Sequence, residues 1–383
     1  MKRLYRWFLI FVTLFLLSNL SGCMDVTPQF VQVTEDVSIF ENKFYYGQLT
    51  SEAEQYAYRE IYTGIMEQQE EIYIHEIDAD RANNILHQII YDFPLVFWTD
   101  GTATSTTIEE TLFSDGFTVV EVDYLYTLDE RKQKEAEIKS AAESILNTVP
   151  AEYGEYDKIK YIYEYLVNQI DYVEDAPDNQ NIYSALVGNR TVCAGYAKAT
   201  QYLLNELGIY CTFVTGTATN EEGTQPHGWN IVRCNDKYYY VDTTWADPYF
   251  MEGQVETDQV IYDYLCCSET VLEKTHVLDE GYEFPACTSD DLDYYRLNNL
   301  FYERADKWTL LNAMKASIRA KAENTTFKFA STETYEQAKQ MLLDELLNSA
   351  AEYLCERYGL QEVEYFYQDY TTTNRFVVYW QYK

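Results

Sequence analysis

Basic residues are scarce: 28 Lys and Arg stand against 63 Asp and Glu in 383 residues, a formal charge of −35. A field of that sign repels polyphosphates and argues against nucleic acid as a partner. A solvated acidic surface is the simplest reading of the excess. Histidine is scarcer still, with four copies (His75, His87, His227, His276) that show no ligand spacing, and no Cys-x-x-Cys pair occurs. These absences exclude the familiar zinc patterns. No spaced Asp/Asn/Gly calcium loop is visible either, so neither a metal nor a cofactor is expected. The apolar run from Trp7 to Leu17 is shorter than the roughly 20 residues that a membrane-spanning helix needs.

What is present is a chain able to bury real cores. It is 47% hydrophobic and 16% aromatic, and its length allows two or three domains. Most of the 38 tyrosines read as half-buried faces, where a phenol offers an apolar body and a wet tip. The N-terminus carries Lys2, Arg3 and Arg6, then the apolar run, then Leu20-Ser21-Gly22-Cys23. Charge, grease and small residues ahead of a cysteine form an export signal with a lipobox. It resembles the bacterial lipoprotein signal, which implies that residues 1–22 are removed. Cys23 would then be lipidated and hold the chain to the outer face of a cell membrane. The mature chain would keep 25 basic against 63 acidic residues, a formal charge of −38.

Setting aside Cys23 and Cys193, six cysteines remain: Cys211, Cys234, Cys266, Cys267, Cys287 and Cys355. An even set permits three bridges, and the sequence does not choose among the pairings. Organisation follows from periodicity. Residues 23–150 read as an N-terminal α+β domain, with helices over 51–69 and 80–91, a strand over 117–126, and an amphipathic helix over 129–148 turning Ile138, Ala141, Ile145 and Leu146 inward. Residues 151–284 form the part that carries chemistry, entered by a helix with Ile159, Ile162, Tyr163 and Leu166 on one face. Residues 285–383 read as a C-terminal α+β domain with helices over 308–322 and 334–358 and strands over 363–367 and 375–382.

Within the central part, apolar residues at 196, 197, 200, 203, 204 and 207 follow helical spacing, and Gly208 supplies a left-handed cap. The helix therefore starts at or just before Cys193. Unsatisfied N–H groups and the positive dipole end there favour a thiolate. Downstream, His227 opens an extended run (Gln225-Pro226-His227-Gly228-Trp229-Asn230), joined through Cys234-Asn235-Asp236 to the β-prone Lys237–Trp245. Directly opposed residues of a hairpin have a constant number sum. Pairing 227 with 242 centres the turn at 234.5, inside that polar stretch, so His227 and Asp242 are expected side by side on one face. Cys193 would attack a carbonyl, His227 would act as base, and Asp242 would fix the imidazole's tautomer. The Cys193 N–H is a natural oxyanion donor, and Gln180 and Tyr183 are upstream candidates for the second.

At these residues the chain resembles the transglutaminase-like superfamily. The likeness lies in Cys193-Ala194-Gly195-Tyr196-Ala197, His227-Gly228-Trp229-Asn230 and Asp242-Thr243-Thr244-Trp245. The resemblance is specific over about 156–250. It implies an α+β fold with a papain-like core, a helix-start cysteine packed on an antiparallel sheet, and a thioester intermediate. Members include amide-crosslinking enzymes, peptidases and proteins that have lost activity. The leading expectation is thus a cell-surface thiol enzyme acting on a protein or cell-wall peptide, with water or an amine as acceptor. The alternatives are a catalytically inactive binding module of the cell envelope and a structural lipoprotein.

Overall fold

The computed structural model describes residues 28–33, 36–111, 115–220, 223–247 and 260–382. The expected signal segment and Cys23 lie outside these residues. Among the described residues no helix is long and apolar enough to cross a membrane. The chain forms two compact units: one from the described residues up to Val37 with Thr50–Leu86 and Gly101–Asp123, the other from Ser38–Leu49, His87–Asp100 and the chain from Tyr124 onward.

In the first unit, α1 (Glu52–Glu67) begins at Ser51, whose hydroxyl accepts from the Glu54 N–H at 3.1 Å. Strand β1 (Glu71–His75) follows, and later β2 (Ala103–Ile108) and β3 (Phe117–Val122) complete an antiparallel sheet of order β1-β3-β2. The helix expected over 80–91 runs Ala79–Asp92 (α2), and its residues from His87 on belong to the second unit. Neither β1 nor β2 was expected from the sequence. β1 buries only Ile72 and Ile74, and the Thr-rich β2 is mostly exposed, so its alternation carries no hydrophobic signal.

In the second unit, α3 (Leu128–Leu146) starts with a capping box between Thr127 and Glu130. Its buried positions are Arg131, Ile138, Ala142 and Ile145. Ala142 therefore replaces the expected Ala141, and Arg131 joins the inward face because its guanidinium stacks 3.3 Å from the Trp98 ring centroid. Helix α4 (Glu155–Gln169) buries Ile159, Ile162, Tyr163 and Leu166 as expected. Helix α5 (Cys193–Glu206) then leads into β4 (Cys211–Asn220), β5 (Gly223–Cys234) and β6 (Lys237–Val241). With β7 (His276–Leu278) these strands form an antiparallel sheet of order β6-β5-β4-β7. One face of it packs Val214, Trp229, Ile231 and Tyr240 against Trp245, Tyr264, Cys267 and Cys287. The other lies under α5, where the Asn230 amide donates to the Ala197 carbonyl at 2.9 Å.

The C-terminal stretch layers α6 (Lys307–Ala320), α7 (Thr332–Met341) and α8 (Leu347–Tyr358) on a sheet. The sheet contains β8 (Asn324–Phe329), β9 (Tyr365–Tyr370) and β10 (Arg375–Trp380). A π-helical turn, Leu342–Leu346, joins α7 to α8, so the single helix expected over 334–358 is interrupted there. Asp263, which precedes this layer in the chain, is buried between Lys328 on β8 and Arg375 on β10 and accepts from the Arg375 Nε at 2.7 Å.

The seven described cysteines are all free thiols, so the three bridges that the even count permitted are not made. Sheet parity gives part of the reason. Cys211 lies three residues before Val214 and Cys234 three after Ile231, which puts both on the face opposite the one that holds Cys267 and Cys287. Cys266 is in left-handed backbone at φ 49°.

Candidate active site

Cys193 is the first residue of α5, after Val192 at the N-cap, and its N–H has no intrahelical carbonyl to bond. The helix begins here because the chain leaves an extended segment and can approach Thr191 closely at Gly195. A Cβ at Gly195 would lie 1.9 Å from the Thr191 hydroxyl oxygen. Tyr196 anchors the same turn, its hydroxyl 2.6 Å from the Ile170 carbonyl and 3.1 Å from an Asp247 carboxylate oxygen. Gly208, at φ 77°, closes the far end as expected.

His227 stands on β5, four residues inside it rather than at its start, because the pairing with β4 continues back to Gly223. The hairpin register also differs from the expected one. Asn230 pairs with Val241 and Cys234 with Lys237, which leaves Asn235-Asp236 as a two-residue turn. Both turn residues have positive φ, 49° and 63°, the geometry of a type I′ turn. The sum is therefore 471 and not 469, and continuing this register past Val241 would set Asp242 across from Trp229. A shift of two keeps the side-chain face, so His227 and Asp242 are diagonal neighbours on one side. The His227 Nε2 lies 2.7 Å from Asp242 Oδ2.

With Nε2 engaged, Nδ1 is the nitrogen left for the Cys193 thiol, which interacts with the ring. Cys193 is half-buried, whereas His227 and Asp242 are 8% and 1% exposed. Burial alone would lower the His227 imidazole, but the Asp242 carboxylate and the neighbouring thiol push it up to about 10. Burial alone would raise the Asp242 carboxyl, yet His227 and His276 hold it well below the usual carboxylate range. The other Asp242 oxygen, Oδ1, accepts from the N–H groups of Thr244 and Trp245 at 2.9 and 3.1 Å. The sequence thus brings its three chemical residues together: a reachable thiol, an imidazole beside it, and a fully bonded carboxylate behind.

Residues 139–243 match the transglutaminase-like superfamily. Cys193, His227 and Asp242 all lie within the matched stretch. No curated protein sequence matches the chain. Among solved structures, the chain is similar to a TGase at 18% identity, covering 49% of this chain and 53% of that one with a TM-score of 0.26. It is similar to a candidate cysteine protease from Cytophaga hutchinsonii at 13% identity, with coverages of 38% and 63% and a TM-score of 0.25. It is also similar to menin, whose structure was described with its binding site for the Mixed Lineage Leukemia protein, at 16% identity, coverages of 60% and 56%, and a TM-score of 0.24. The chain thus spans between about half and two thirds of the length of each of these proteins.

Within the matched stretch, Gln180 is exposed and its carbonyl accepts from the Lys198 Nζ at 3.1 Å. The Tyr183 hydroxyl donates to Glu137 at 2.6 Å. Two residues here were not singled out from the sequence. Lys198, on α5, is buried, and desolvation outweighs Asp100 and Cys193 to bring its amine down to about 8. His276 reaches the site from β7, its Nε2 3.0 Å from Asp242 Oδ2. No motif spacing marks it, since its strand is brought in by pairing with β4.

The ring nitrogens of His227 and His276 and the Asp242 carboxylate form the one group among the described residues able to supply three close ligand atoms to a metal ion. Their separations of 2.7 and 3.0 Å are those of N–H···O bonds. Tetrahedral ligands at zinc distances stand about 3.3 Å apart. The cluster is spaced for protons.

Proposed function

We propose that the protein is a thiol enzyme that transfers acyl groups from peptide or isopeptide amides. The observation that carries this reading is the buried His227–Asp242 pair, 2.7 Å apart, set against a half-buried cysteine at a helix start. The Cys193 sulfur attacks the amide carbonyl, and the oxyanion forms near the Cys193 N–H. His227 passes a proton to the departing amine, leaving a thioester. Water or a second amine then attacks, giving its proton to His227 and releasing the thiol. Asp242 keeps the imidazole oriented through both steps.

The lipobox supports the further reading that Cys23 is lipidated, that the protein sits on the outer face of the membrane, and that its substrate is an envelope protein or cell-wall peptide. The test uses the purified chain with a glutaminyl protein and a fluorescent amine, beside an assay for new peptide termini. Amine incorporation lost in Cys193→Ala selects a transferase, and new termini lost in the same variant select a hydrolase. A folded protein inactive in both assays selects the binding-module alternative.

A further inference from the structure

His276 is one of the most completely enclosed polar side chains of the molecule. Its side chain is 0% exposed. Its ring centroid lies 4.6 Å from that of Trp245, 5.0 Å from that of Trp229 and 5.3 Å from that of Tyr264. It reaches this position because β7 pairs Ala218 with His276 and Gly216 with Leu278. A Cβ at Gly216 would lie 2.0 Å from the Val277 carbonyl oxygen, so only glycine lets β7 come this close.

The hydrogen bonds around the ring can be assigned by their donors. The carboxylate of Asp242 offers acceptors alone, so the His276 Nε2 facing it at 3.0 Å must carry a proton. In the neutral ring Nδ1 then accepts, and the Thr275 hydroxyl stands 2.8 Å away to donate. The Tyr264 hydroxyl lies 3.0 Å from Thr275 Oγ1 and can donate in turn. Donors and acceptors can alternate from Tyr264 through Thr275 and His276 to Asp242 Oδ2, which also accepts from His227 at 2.7 Å. The Leu272 carbonyl, 3.3 Å from Thr275 Oγ1, competes for the same hydroxyl proton, and neither arrangement alters the donor at His276 Nε2.

We propose that His276 is a positioning residue of the Cys193 site: by donating Nε2–H to Asp242 Oδ2, it locks the carboxylate in the one orientation that turns the His227 Nδ1 toward the thiol. The inference rests on the thiol-enzyme reading for its consequence, though not for its geometry. Asp242 already accepts two backbone N–H bonds at Oδ1. With His227 and His276 sharing Oδ2, tilting the carboxylate plane away from this orientation strains four bonds at once. Without His276, Oδ2 keeps a buried, unused lone pair and His227 alone holds that oxygen.

The test compares wild type with H276Q, which can present an amide N–H to Oδ2, and H276F, which fills the cage without a donor. Nitrogen-15 NMR of labelled histidines reads the tautomers directly, and wild type is expected to show His276 protonated at Nε2. The rate of Cys193 alkylation should fall about tenfold in H276F, the loss expected for one hydrogen bond to a buried charge. H276Q should recover most of that loss, which a purely space-filling role would not allow. A His276 protonated only at Nδ1, or equal alkylation rates in folded wild type and H276F, overturns the proposal. Should H276F not fold, the wild-type tautomer and the H276Q rate decide. If wild-type Cys193 reacts no faster than in His227→Ala while His276 carries its proton at Nε2, the thiol-enzyme reading fails and the positioning geometry stands.

Discussion

Asp242→Asn perturbs the most heavily bonded group of the site. Its two oxygens accept from His227, His276, Thr244 and Trp245 at 2.7 to 3.1 Å, and the residue is 1% exposed. An asparagine keeps one acceptor oxygen, so its NH2 must face either the two backbone donors or the two imidazoles. Facing the backbone, the NH2 leaves the two buried N–H groups of Thr244 and Trp245 without an acceptor, at about 1–3 kcal/mol each. Facing the rings, it forces both imidazoles into the tautomer protonated at Nδ1, the wrong one for the His227 pair. Removing one member of a buried charged pair costs about 3–5 kcal/mol, and we expect a loss of that size near pH 6. The loss has a pH window. The Asp242 carboxyl is held below its usual range, so its contribution is present above the unfolded value of about 3.9 and lost as pH falls through the folded one. His227 is pushed up to about 10, so its contribution is complete below the unfolded value of about 6.5 and fades as pH rises through about 10. The gap between wild type and variant should therefore be widest from about pH 4 to 6.5 and narrow toward pH 10. Urea unfolding followed by both tryptophan fluorescence and far-UV circular dichroism measures it. A gap that stays constant into alkali, or below about 1 kcal/mol at every pH, would refute the reasoning.

Three further substitutions test separate parts of the account. Asp263→Asn removes the carboxylate paired with the buried Lys328 and Arg375 and should cost about 3–5 kcal/mol, read by chemical denaturation at neutral pH; an unchanged midpoint would count against a structural role for the cluster. Lys198→Met should raise the melting temperature at pH 7. The amine's folded value of about 8 lies below its unfolded one, so its charge penalises the fold at neutral pH and the penalty disappears as pH rises past about 10.4; a variant no more stable than wild type at pH 7 contradicts this. Gly195→Ala pushes a methyl into Thr191 and should cost about 1–3 kcal/mol, with Thr191→Ala restoring much of the loss in the double variant, as thermal melting would show.

The site was legible where a single element carries the signal. The apolar spacing from Tyr196 to Leu207 and the glycine at 208 fixed the start of α5 at Cys193. The side of the sheet shared by His227 and Asp242 was legible as well, since a register error of two residues leaves every side chain on its face. An error of one would have separated the pair. His276 was not legible, because it joins the cluster through pairing between β7 and β4, more than fifty residues apart in sequence. The same limit applies to β8, whose internal position in the C-terminal sheet comes from pairing with Phe301–Tyr302 on one side and β10 on the other. The α+β character of the chain and its likeness to the transglutaminase-like superfamily needed only the local patterns.

Selective alkylation of Cys193 tests the central claim most directly. Treating the folded protein with iodoacetamide near neutral pH and mapping the labelled peptides compares Cys193 with Cys355, half-buried like it but with no imidazole beside it among the described residues, and with Cys211, Cys266 and Cys267, whose burial pushes their thiols well above the ordinary range. An imidazole-activated thiol predicts labelling at Cys193 well ahead of Cys355 and the buried cysteines, and a greatly slowed reaction in His227→Ala. Equal labelling of Cys193 in both proteins would contradict it.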